Sequence, residues 1–178
     1  MKNRVVFGLG VSALLLSAFG GVAIAQDKRA SPHETVTETI NGKKITITYG
    51  RPYKKGRVIF GGLEPWGKVW RTGADEASTI TLEADAMIGP LHVVAGTYSL
   101  FTIPNEKEWT LVLNKTAKQW GAFKYDQKMD YGRAPMTVTR SKVPVEQLTI
   151  ALQKKGDHEA ILKIAWDDFV ASIDVMVH

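Results

Sequence analysis

The stretch GKVWRTGADEAST, Gly67 to Thr79, gathers Trp70, Arg71, Asp75 and Glu76 around Gly73. A guanidinium offers a planar fork of donors that fits a carboxylate or a phosphate. Two carboxylates beside it can neutralise it, bind a cation, or serve as acid and base. Adjacent side chains in extended chain point to opposite sides, so Asp75 and Glu76 make a poor catalytic pair with each other. The same residues also suit a structural bridge from Arg71 to Asp75 or Glu76 that pins the loop.

A second polar cluster lies upstream. In Arg51-Pro52-Tyr53-Lys54-Lys55-Gly56-Arg57 four of seven residues are basic, and Pro52 and Gly56 mark a turn. A basic turn can cradle an anion, or it can be a solvated tip. If Arg51, Arg57 and Arg71 converge, they form an anion pocket. Aromatic residues form a third set. Trp109 and Trp166 sit on apolar stripes and belong to a core. Trp66 and Trp120 sit in irregular loops, where an indole either stacks on a sugar face or plugs the end of a core. His33, His92, His158 and His178 have no metal-binding spacing, although folding can bring His33 to Asp75 or Glu76. Neither a G-x-S-x-G elbow nor a phosphate-loop or dinucleotide fingerprint is present. The reading therefore assigns no metal and no cofactor.

These loops need strands to hold them. Apolar and polar residues alternate in Ile45–Tyr49, Thr79–Leu82, Trp109–Leu113, Leu148–Leu152 and Ala160–Trp166. Asn41-Gly42 between TVTETI and KKITITY is a hairpin signal, since both residues tolerate positive φ. Ala95-Gly96, Pro104-Asn105 and Gly156-Asp157 separate further strands, and Asp167-Asp168 reads as a turn leading into FVASIDVMV. Val69–Thr72 reads as a strand end, another strand begins near Val58, and Val145–Gln147 as a short turn. No sustained helical pattern occurs. The pattern predicts an all-β fold of about ten antiparallel strands, as a β-sandwich or flattened barrel. Phe60–Lys68 and Lys115–Pro135 do not fit the alternation and read as long loops, which are often functional.

Residues 1–25 have the layout of a secretory signal peptide: basic Lys2 and Arg4, an apolar run from Val5, and the cleavage site Ala23-Ile24-Ala25. Gln26–Pro32 reads as a flexible leader and residues 33–178 as one domain. No later apolar run is long enough to span a membrane. The chain lacks cysteine, which excludes disulfides and thiolate chemistry. The net charge of +5 falls to about +3 without residues 1–25. It is spread along the chain and lacks any nucleic-acid recognition motif.

The segments GRPYKKGRVIFGGLEPWGKVWRTGADEAST and AGTYSLFTIPNEKEWTLVLNKTAKQWGAFKYD resemble the exported bacterial proteins catalogued as domain of unknown function 2911. The resemblance spans about Ser31 to Trp166, with Asn usual in that family where this chain has Asp75. It implies export and a mostly β domain, and supplies no substrate, cofactor or catalytic residue.

The functional expectation is an exported protein, periplasmic or extracellular, that binds a small anionic or carbohydrate-like ligand without catalysis. Its site would draw on Arg51, Arg57, Trp66, Trp70, Arg71, Asp75 and Glu76. One alternative is an envelope hydrolase using Glu76 or Asp75 as acid or base. The other is a structural or interaction module that pairs through a sheet edge.

Overall fold

Asn41 and Gly42 adopt φ 51° and 71° in the computed structural model, which describes residues 29–178. The signal peptide expected at residues 1–25 lies outside the described residues. The Asn41-Gly42 turn joins β1 (His33–Ile40) to β2 (Lys43–Gly50), with Ile40 opposite Lys43. Positive φ at both positions matches the right-handed twist of the flanking strands. Then follow β3 (Ser78–Leu82), β4 (Ala86–Ile88), β5 (Leu91–Val93), β6 (Gly96–Ile103), β7 (Glu108–Asn114), β8 (Asp130–Lys154) and β9 (Glu159–Val177). Among the described residues a single 3₁₀ turn, at Gln127–Met129, interrupts them.

All nine strands form one antiparallel sheet in the order β1-β2-β3-β6-β7-β8-β9-β4-β5. The all-β antiparallel expectation holds, and the two layers are parts of one open sheet. The long β8–β9 hairpin folds that sheet over. The first part of β8 pairs with β7, through contacts such as Trp109–Met136. The later part crosses to β2, where the Ile150 N–H donates to the Tyr49 hydroxyl at 3.0 Å. Ile45, Ile47 and Tyr49 thereby share one core with Leu148, Ile150, Leu162, Ile164 and Trp166.

The fold corrects several boundaries. Asp167-Asp168 is a bend inside one strand, not a turn between two. Asp167 sits at φ 53°, buried, and its carboxylate pairs with Lys54 where the register shifts. Val145–Gln147 lies within irregular β8. No strand begins near Val58, because Val58–Glu64 is a chain of turns closed by Glu64 N–H to Ile59 O at 2.8 Å. Val69–Thr72 is not a strand end. Trp70 alone pairs with Thr102, taking up the β6 ladder just past Leu100, the partner of the first β3 residue, Ser78. Lys115–Asp126 is a loop as expected, but the strand β8 already starts at Asp130. The loop's Ala122 and Tyr125 cover a small second cluster of Ala77, Phe101 and Val112. Arg29–Pro32, expected as a flexible leader, docks on the domain: Arg51 N–H donates to Pro32 O at 2.7 Å and Ser31 is buried.

Candidate functional site

The Trp70–Ala77 loop rests on the end of β2 through two glycines. Ala74 N–H donates to Gly50 O at 3.2 Å. A Cβ on Gly50 would lie 2.2 Å from Ala74 O, so only glycine permits this approach. A Cβ on Gly73 would lie 2.9 Å from the Ser78 hydroxyl and 3.0 Å from Gly50 O. Thr72 holds φ 55° and Asp75 φ 63°. That conformation is unusual for a β-branched residue and costs on the order of 1 kcal/mol or more. Buried hydrogen bonds hold it: Thr72 Oγ1 lies 3.0 Å from Thr102 Oγ1, and Ser78 Oγ donates to Thr72 O at 2.8 Å.

The loop forms a wall between two hollows. On one side a cavity of about 340 Å³ is bounded by Arg29, His33, Tyr49, Glu76, Ala77 and Gln119. On the other a cleft of about 580 Å³ is bounded by Lys55, Arg57, Glu64, Arg71, Asp75 and Trp166, with Tyr53 and Leu63 also on its rim. Asp75 and Glu76 thus line different hollows. Both still reach His33: its Nε2 is 3.2 Å from Asp75 Oδ2 and 3.6 Å from Glu76 Oε2. Arg29 donates to Glu76 at 2.9 Å.

The structural bridge from Arg71 to Asp75 or Glu76 does not form, because His33 and Arg29 take both acids. The three arginines do not all converge. Arg51 turns toward β1 and β8, pairing with Glu34 at 2.8 Å and donating to Leu148 O at 2.9 Å. Arg57 and Arg71 do share the cleft. Arg57 is braced by its own turn, donating to Lys54 O at 2.9 Å and to Tyr53 O at 2.5 Å. Arg71 makes no ion pair among the described residues, and its Nε is buried without a partner.

Trp70 is a core residue, 2% exposed, and faces neither hollow; it stacks on Trp166 with ring centroids 5.8 Å apart. Its large ring lies at the meeting of both layers, where burial outweighs any surface role. Trp66 plugs the end of that core, against Phe60 at 6.0 Å and Phe169 at 5.3 Å. Trp120 is exposed, on the far side of the Asp75–Glu76 wall, where it bridges to Glu76.

The sequence reading missed Glu64, while Lys55 belongs to the basic turn it had singled out. Glu64 sits in the Phe60–Lys68 turns, and burial drives its pKa up to about 7, against the lowering pull of Arg71 and Arg57. The only signal in the chain was an acid inside a segment dense in Gly, Pro and Trp. Among the described residues no cluster of His, Asp and Glu has metal-binding geometry.

A family model described as "Protein of unknown function (DUF2911)" matches residues 31–175. No curated protein and no solved structure matches the chain.

Proposed function

The chain belongs to the DUF2911 family, and we propose that it is an exported envelope protein that binds a small anionic ligand in the cleft of Arg57 and Arg71. One observation carries the reading. Arg29, Arg51, Arg133 and Arg140 each pair with a carboxylate within 4 Å. Among the described arginines only Arg57 and Arg71 do not, and these two line the same cleft with Lys55. Arg71 is half-buried, and a half-buried guanidinium without an ion pair is costly; an incoming anion repays that cost with charge-assisted hydrogen bonds to it and to the exposed Arg57. Tyr53 and Leu63, both partly exposed on the rim, offer an apolar surface to the body of a carbohydrate-like ligand. Asp75 and Glu76, occupied by His33 and Arg29, favour binding over the hydrolase alternative. The basic, apolar and A-x-A segments of residues 1–25 support export.

The reading is tested by thermal unfolding against sulfate, phosphate, sugar phosphates, uronic acids and neutral sugars. A ligand at one hundred times its Kd adds about 2.7 kcal/mol. Anionic compounds should raise the melting temperature of the wild type and leave that of folded Arg71→Ala unchanged. An equal rise in both proteins, or a response to neutral sugars alone, would refute the anion site.

A further inference from the structure

Glu64 is the cleft group that simple anion binding leaves unexplained. Its carboxyl makes no hydrogen bond and no ion pair among the described residues, although it shares the cleft with two unpaired guanidiniums. The charged groups around it come from two other segments. Lys55 and Arg57 come from the turn after β2, and Arg71 and Asp75 from the Trp70–Ala77 loop; Tyr53 and Trp166 add aromatic surface to the lining. An ionised Glu64 would repel an incoming anion and compete for both arginines. A protonated Glu64 is instead a donor in need of an acceptor.

Resting on the anion-binding reading above, we infer that Glu64 is a proton-carrying ligand group: the cleft holds an oxyanion on Arg57 and Arg71 while the Glu64 carboxyl donates its O–H to it, so that binding takes up a proton. Three donor groups match the three free oxygens of a phosphate or sulfate ester better than the two of a carboxylate. The linkage has a definite sign. Arg71 and Arg57 pull the Glu64 pKa down in the empty cleft. A bound anion cancels that pull, so the occupied cleft holds the proton more tightly than the empty one. By reciprocity, affinity for the anion falls as pH rises past neutrality. Each unit by which binding raises the proton affinity corresponds to about tenfold in anion affinity.

The test is calorimetric titration of wild type and Glu64→Gln with sulfate between pH 6 and 9, in buffers of different ionisation heat. Sulfate does not titrate in this range, so any proton uptake belongs to the protein. Wild type should take up protons on binding and lose about tenfold in affinity from pH 6 to 9. Glu64→Gln, a neutral isostere, should match the wild-type affinity at pH 6 and hold it across the range without uptake. Uptake and pH slope retained in Glu64→Gln would overturn the inference while leaving anion binding intact. Absence of sulfate binding by either protein would overturn both.

Discussion

At the residue scale the cleft is decided by what each charged group lacks. Arg57 and Arg71 were legible in the chain by type, since arginines beside turns suit anions. Which of the three arginines would stay unpaired was not legible, because Glu34, the residue that claims Arg51, lies on β1, a separate strand. Glu64 was less visible still, since its character comes from burial in a cleft lined by residues distant in sequence, Trp166 of β9 among them. That burial carries a stability prediction. The Glu64 pKa rises from 4.5 to about 7 on folding. An acid whose folded pKa is raised contributes stability below its unfolded pKa and loses it as pH climbs through the folded value. Glu64→Gln should therefore gain on wild type between pH 4.5 and 8, by about 3 kcal/mol at the upper end. Denaturant unfolding at both pH values checks this; a pH-independent difference would mean the carboxyl is solvated.

At the element scale, local turn chemistry was well encoded. Asn41-Gly42 forms the hairpin its dipeptide demands, and a Cβ on Gly42 meets nothing within 4 Å. Gly42→Val should therefore cost only backbone strain, about 1–2 kcal/mol, measured as a shift in the unfolding midpoint at unchanged denaturant slope. Gly50→Ala is the contrasting case, because its methyl would strike the Ala74 carbonyl. It should displace the loop that carries Arg71, lowering both stability and anion response; a variant that keeps its ligand shift would show that the loop does not depend on this approach. The long strands were the hard part. Pro135, Ser141-Lys142 and Pro144 break the alternation of β8, yet the strand runs through them with register shifts at Arg140–Val145 and Val145–Thr149. In β9 the left-handed Asp167 is held by Lys54, a partner on the turn after β2. A bend fixed by a distant side chain has no local sequence signal.

At the scale of the whole molecule, period-two alternation was enough to give an antiparallel all-β domain. It could not show that one sheet, folded over by the β8–β9 hairpin, supplies both layers. That folding places the cleft, since Trp166 comes from β9, Arg57 from the turn after β2, and Arg71 from the loop before β3. It also leaves Trp120 on the far side of the Asp75–Glu76 wall. The most direct measurement of the anion site is the response of the tryptophan indole N–H resonances to sulfate. The Trp166 signal should shift saturably while that of Trp120 stays fixed, and the shift should vanish when Arg57 and Arg71 are both replaced by alanine in a folded protein. A saturable shift at Trp120 alone, or one at Trp166 that survives the double replacement, would contradict an anion site built on these two arginines.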